Sequence, residues 1–230
     1  MNFLENTLVG LDGCPGGWIV ALWRPDQEIC FHFMKHISEI VEYGGRPALI
    51  GIDIPIGLVQ GTARECDVLA RKELGVRRSS VFPAPDRRLL SVTDYHKANS
   101  MNREWNGKGL SKQTFNLIPK IREVDEFARK TYVPIFEIHP ELAFSQMAGS
   151  PMVHNKKTPQ GFHERRNWLM QNMPGVEIPE RGHLGPAKSD DWMDSAAVAW
   201  SSQRILQGQA KRLPAEAVYD EYGLLMAIHF

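Results

Sequence analysis

Two short apolar segments in the first quarter of the chain each contain a single aspartate, and this pattern limits the folds open to the sequence. Asp12 lies in VGLDG and Asp53 lies in LIGIDIP. Apolar runs of this length are typical of strands buried in a sheet. An isolated charge in such a strand costs several kcal/mol unless a cation or hydrogen-bond donors compensate for it. We therefore expect both carboxylates to have a partner or to face a cleft.

A third acidic element, KSDDWMDSAAVAW, is predicted to begin a helix. Residues three and four apart share one face of a helix, so Asp194 projects beside Asp190 and Asp191. These acids could converge with the two strand aspartates at one point. Magnesium and manganese ions prefer carboxylate and water oxygens as ligands, so such a cluster would suit Mg²⁺ or Mn²⁺. Capping and the helix dipole are the alternative explanation for acids in the first helical turn.

The order of apolar and polar segments predicts an α/β fold, with a mixed five-stranded sheet flanked by helices. Three strands, a short helix and a fourth strand come first. A helical insertion is predicted at about residues 60–131, between the fourth and fifth strands, and VPIFEIHP supplies the fifth strand. Further helices follow, and the last begins at SDD. The sequence contains no internal repeat, so we expect one domain over residues 1–230.

The composition is that of a chain able to bury a core, with 43% hydrophobic residues among 230. No apolar run approaches the roughly 18 residues that a membrane helix needs. The first residues, MNFLENTLVG, lack the basic start and apolar core of a secretory signal. The three cysteines are widely spaced and form no CxxC pair. We therefore expect a cytoplasmic protein without a membrane span.

The charges are unevenly distributed, although the formal net charge is zero. Residues 64–130 contain 15 Lys and Arg against 9 Asp and Glu, a net charge of +6. Nucleic acid or another phosphate-bearing substrate could contact this region, but a solvated basic helical face is the alternative. Arg77, Arg78 and Ser79, in RRSS, and Lys112, in GKGLSK, are the candidate substrate-binding residues. GKGLSK lacks the spacing of a Walker A loop and gives no indication of ATP binding.

The order of the predicted elements resembles that of the ribonuclease H-like fold. The acids resemble the metal-binding acids of the RuvC-type resolvases, which are similar in fold. That resemblance implies that Asp12, Asp53, Asp191 and Asp194 bind two divalent ions for phosphodiester hydrolysis. The chain also resembles the family called domain of unknown function 429, described as predicted nucleases with this fold. The segments that carry this resemblance cover most of residues 9–200, and they are GLDGCPGGW, IGIDIPIGL, ARKELGVRRSSVFPAP, GKGLSKQTFNLIPKI, FEIHPELAF and AKSDDWMDSAAVAW.

The FEIHPELAF segment contains three further candidates whose roles stay open. Glu137 interrupts a predicted strand and is a candidate catalytic acid or additional ligand. Glu141 could be a ligand or could lie in the first turn of the helix after Pro140. His139 is either a proton-transfer group near the acids or a structural histidine.

Four functions are compatible with these residues, and the leading hypothesis is a metal-dependent nuclease or phosphodiesterase. Sugar kinases and actin-like ATPases share the fold but are built from two such domains. A non-catalytic binding or scaffold protein would have acids that do not converge or that are paired with Arg or Lys. Hydrolysis of a small phosphorylated metabolite would require a closed pocket, whereas an open basic groove would favour nucleic acid.

Overall fold

A computed structural model describes residues 7–25, 27–42, 46–178 and 187–230. Within these residues the chain forms seven strands and seven α-helices. The strands are β1 (Leu8–Cys14), β2 (Gly17–Trp23), β3 (Cys30–Met34), β4 (Leu49–Ile52), β5 (Ile135–Ile138), β6 (Arg212–Leu213) and β7 (Ile228–His229). The helices are α1 (Glu39–Glu42), α2 (Glu65–Leu74), α3 (Tyr95–Asn106), α4 (Lys112–Ala128), α5 (Pro140–Ala148), α6 (Pro159–Asn172) and α7 (Ser189–Leu206).

All seven strands form one mixed sheet in the order β3-β2-β1-β4-β5-β7-β6. β1, β2 and β3 are antiparallel neighbours, whereas β1, β4, β5 and β7 run parallel to one another. The predicted mixed α/β architecture is therefore confirmed, but the predicted count of five strands is wrong. β6 and β7 extend the sheet, and each has only two residues. Two residues are too short to show the alternation by which a strand is recognised in a sequence.

Helix α7 lies directly against β1 and β4, and two glycines make this close approach possible. Gly10 and Gly51 are partners in the parallel register of the two strands. A Cβ atom at Gly10 would lie 2.1 Å from the Ser195 carbonyl oxygen, and one at Gly51 would lie 2.3 Å from Ser202 Oγ. Any larger residue at either position would push the helix outward. The glycines thus fix the height of α7 above the sheet, and with it the position of the acids on α7.

The other face of the sheet is covered mainly by α4. Leu11 and Ile52 are buried there in one apolar cluster with Ile121 and Val124 of α4. Helices α2, α3 and α4 all lie between β4 and β5 in the sequence.

Crossing a bilayer takes a long and uniformly apolar helix, and the described residues contain none.

Candidate functional site

The register of the two central strands places Asp12 beside Asp53. Leu11 is the partner of Ile52 in the parallel pair, and the Asp53 amide continues the pairing by donating to the Leu11 carbonyl oxygen at 3.0 Å. Successive side chains of a strand point to opposite faces. Asp12 and Asp53 therefore point away from the face of Leu11 and Ile52 and toward the face covered by α7.

Helix α7 brings two more carboxylates to the same place. Asp12, Asp53 and Asp191 line one cavity of about 490 Å³. Asp194 lies one turn further along α7, is 3% exposed, and interacts electrostatically with Asp12 and Asp53. The four acids selected from the sequence as metal ligands thus meet at the end of the central strands.

Among the described residues, the two strand aspartates have no direct hydrogen-bond or ion-pair partner of their own. Asp12 is 8% exposed, and neither it nor Asp53 accepts a side-chain hydrogen bond or forms an ion pair within the part of the chain that the structure describes. Burial, reinforced by the neighbouring carboxylates, raises the pKa of Asp12 well above its usual range. Burial and the charge of Asp194 raise the pKa of Asp53 to about 8. The site therefore favours a proton or a cation at neutral pH.

Lys156 is a component of the site that the sequence reasoning missed. Its Nζ donates to Asp194 Oδ2 at 2.5 Å in an ion pair. It also lines the cavity and interacts with Asp12 and Asp53, and the charge of Asp194 raises its pKa above the usual range. Lys156 and Lys157 are adjacent in a polar loop, so nothing in the local sequence distinguishes the one that reaches the acids.

Arg77 has a different role from the predicted one. Its Nε donates to the Met152 carbonyl oxygen at 2.6 Å, and its Nη2 donates to the carbonyl oxygen of Val153. These contacts hold the start of the loop that carries Lys156. The Nε and Nη2 donors of Arg77 are therefore bound to backbone carbonyl oxygens and are not available to form a bidentate contact with phosphate.

The remaining predicted substrate-binding residues do not line the acidic cavity. Arg78 and Ser79 are exposed on the 3₁₀ segment that follows α2. Lys112 is exposed in the first turn of α4, with its Nζ 5.6 Å from the centroid of the Tyr95 ring. The structure does not bring these three residues to the acids.

Glu137 starts from the opposite face of the sheet to the acid cluster, although it lines a small depression together with Asp53 and His139. It is the register partner of Ile52 in the parallel β4–β5 pair and so shares that residue's face, opposite Asp53. Arg64 binds it in a bidentate ion pair, with both N–O distances 2.8 Å, and the Ile56 amide donates to it at 2.7 Å. Glu137 is thus buried and fully engaged by Arg64 and the Ile56 amide, and its predicted catalytic role stays a prediction.

Glu141 is likewise engaged in a buried ion pair. Its Oε1 accepts a hydrogen bond from Arg165 Nη2 at 2.6 Å. Arg165 also donates to the carbonyl oxygens of His154 and Gly161, at 3.1 Å and 3.0 Å. Glu141 therefore supports the loop before Lys156 and does not face the cavity as a ligand.

His139 lies near the acids but does not contact them directly. Its Nε2 is 3.3 Å from the Ser80 carbonyl oxygen, while its Nδ1 is buried and has no hydrogen-bond partner in the described part of the chain. Burial lowers its pKa, and Asp194 and Lys156 contribute to its electrostatic environment. The imidazole is therefore neutral at pH 7, and its two possible roles stay open.

The acidic cavity continues into a second depression beside the turn between β1 and β2. This depression has a volume of about 560 Å³ and shares Gly13, Asn116 and Leu117 with the first. Lys35, Lys120 and Glu123 are among the residues that line it, and Lys120 lies close to Gly13, beside Asp12. The two depressions thus form one groove that extends from the acids past Lys120.

One face of α4 forms a wall of this groove. Gln113 and Asn116 line the acidic part, and Asn116 and Lys120 line the continuation. The Lys120 Nζ donates to the Gly17 carbonyl oxygen at 2.5 Å and lies 4.1 Å from the centroid of the Trp18 ring. The spacing of residues 113, 116 and 120 is that of a single helical face, which was the available signal for these residues in the sequence.

The four carboxylates are chemically suitable ligands for a hard cation such as Mg²⁺. Two of them, however, already have a partner within the protein. Asp194 is paired with Lys156, and Asp191 accepts a hydrogen bond from the Lys188 amide at 2.7 Å. Consistent with this, no three Asp, Glu, His or Cys side chains in the described ranges form a group that could hold a metal ion as placed. Within the described ranges, Asp12 and Asp53 are the two of these four carboxylates without a hydrogen-bond or ion-pair partner.

The chain is thus an α/β protein with an acid-lined groove at the carboxyl ends of parallel strands. The sequence model of the DUF429 family, described as a protein of unknown function, matches residues 10–218, and the chain belongs to this family. No curated protein and no solved structure matches the chain. Membership therefore identifies the family and leaves the activity to be inferred from the site.

Proposed function

We propose that this protein is a metal-dependent phosphodiesterase that uses Mg²⁺ or Mn²⁺ and acts on nucleic acid. The observation that carries the proposal is that Asp12, Asp53 and Asp191 line one cavity and interact with the buried Asp194, while Asp12 is buried without an ion pair among the described residues. A divalent ion at such acids supplies Lewis acidity and stabilises negative charge on phosphate oxygens. The acids would hold the ion, and Lys156 would add a fixed positive charge beside it.

The strand order supports a ribonuclease H-like assignment. The first five strands follow the order β3-β2-β1-β4-β5, with an antiparallel part and a parallel part. The resemblance described above implies three successive strands, a helix, a fourth strand, helices and a fifth strand, with acids on the first and fourth strands and on the last helix. The added β7 and β6 lie beyond β5 and leave the order of the other strands unchanged.

The continuation of the groove supports nucleic acid as the substrate rather than a small metabolite. Depressions of about 490 and 560 Å³ join, and each alone is within the size range of a small-molecule site. In this proposal Lys35 and Lys120, which line the continuation, contact a phosphate adjacent to the reacting one. Amide groups of Gln113 and Asn116 could donate to phosphates or bases.

A non-catalytic binding protein is the second candidate, and the Lys156–Asp194 ion pair is the observation that favours it. An acid neutralised by a lysine can be retained for stability or for contact with a partner. Asp12 and Asp53 form no ion pair in the part of the chain that the structure describes, which is why we place the enzyme first.

The test is hydrolysis of end-labelled single-stranded DNA and RNA, and of bis(p-nitrophenyl) phosphate, in Mn²⁺ and in EDTA. We expect cleavage that requires the ion and that is lost in Asp12→Asn. Asp190→Asn is the matched control, because Asp190 neighbours Asp191 but does not line the cavity. If none of these substrates is cleaved and no Mn²⁺ binds, the binding-protein hypothesis replaces the enzyme.

A further inference from the structure

Lys156 places an ammonium group among the carboxylates that the proposed function assigns to a metal. It forms the 2.5 Å ion pair with Asp194 and interacts with Asp12 and Asp53 as well. Asp194 is 3% exposed, so moving the lysine away would leave a buried charge without a partner. Removing one member of a buried ion pair is strongly destabilising for that reason.

The loop that carries Lys156 is held from several sides. Arg77 binds the carbonyl oxygens of residues 152 and 153, and Glu164 accepts hydrogen bonds from the amides of Val153 and His154, at 2.8 Å and 2.9 Å. Arg165 binds the His154 carbonyl oxygen. Lys156 therefore lies on a supported loop and is partly buried, whereas the neighbouring Lys157 on the same loop is exposed.

The strand aspartates are the acids left for a metal ion. Asp12 is more than nine-tenths buried, has no hydrogen-bond or ion-pair partner among the described residues, and lines the cavity together with Asp53 and Lys156. One divalent ion and the ammonium would supply three positive charges against four carboxylates. A second divalent ion would have to displace Lys156 from Asp194.

We propose that Lys156 occupies one of the two cation positions at these acids, so that the site takes a single divalent ion, between Asp12 and Asp53. This inference rests on the proposed metal-dependent function and departs from the two-ion arrangement that the resemblance implies. The Lys156 ammonium then takes the place of the second divalent ion in the site.

The experiment counts Mn²⁺ bound per chain, from the electron paramagnetic resonance signal of the free ion during a titration. We expect one ion in the wild-type protein and in Lys157→Gln, the matched control. Lys156→Gln removes the ammonium and should bind two ions. Lys156→Arg keeps a cation at this position and should bind one.

The possible outcomes separate this inference from the proposed function. Two ions in the wild-type protein would overturn the inference and leave metal-dependent hydrolysis standing. One ion in both the wild-type protein and a folded Lys156→Gln would also overturn it. No bound ion in the wild-type protein would overturn both. An anomalous difference map from crystals soaked in Mn²⁺ would locate the bound ion. We expect one peak, beside Asp12 and Asp53.

Discussion

Replacing Asp53 by Asn should make the metal-free protein less sensitive to pH. Asp53 has a pKa of about 8 in the folded protein, compared with an ordinary value of 3.8. Between these values the folded state holds a proton that the unfolded chain has released, so the free energy of unfolding falls as pH rises. Asparagine resembles the protonated carboxyl group in shape and does not titrate, so the variant lacks this loss of stability.

The size of the effect follows from the one proton involved. Each proton held only by the folded state contributes a slope of about 1.4 kcal/mol per pH unit. Between about pH 6 and about pH 7.5 the wild-type protein should therefore lose about 2 kcal/mol relative to Asp53→Asn. For a chain of this length, that corresponds to a difference of about 4–8 °C in Tm.

The assay is thermal and urea unfolding of both proteins in EDTA across that pH range. Comparing the two slopes cancels the contributions of distant groups that both proteins share, whereas the neighbouring Asp12, whose pKa the charge of Asp53 raises, titrates at lower pH in the variant. Asp190→Asn is the control and should follow the wild-type slope. Parallel curves for the wild-type protein and Asp53→Asn would show that Asp53 is already ionised in the folded protein, and the electrostatic reasoning for this site would be wrong.

Three further predictions concern the parts of the fold that position the site. Arg165→Ala should lower the free energy of unfolding by about 3–5 kcal/mol in urea, because it leaves Glu141 buried and unpaired; a loss below about 1 kcal/mol would contradict this. Gly10→Ala should lower it by about 1–3 kcal/mol or more, because the new Cβ would lie 2.1 Å from the Ser195 carbonyl oxygen, and an unchanged Tm would contradict that packing. Arg77→Ala should speed amide hydrogen exchange in residues 152–156, whereas Arg78→Ala should not; equal exchange in both would contradict the anchoring role.

The local elements and most of the acids could be predicted from the sequence, because they depend on short-range patterns. Apolar runs, helical spacing and turn residues indicate strands and helices directly. The aspartates follow from the same patterns, since Asp12 and Asp53 interrupt apolar strands and Asp191 and Asp194 share a helical face. The two-residue strands at the edge could not be found this way, because their pairing depends on neighbours that are distant in the chain.

The roles of individual charged residues were decided by the tertiary structure. Arg77 reaches backbone groups 75 residues away, and Lys156 reaches Asp194 across 38 residues, so no local pattern shows either contact. Glu137 resembles a ligand in the sequence, yet its register beside Ile52 turns it to the opposite face from Asp53.

The sequence by itself therefore determined which elements form and which residue types they present at the ends of the strands. Only the tertiary structure decided which charges meet, because strand register sets the face on which each side chain lies and long-range packing sets its partner.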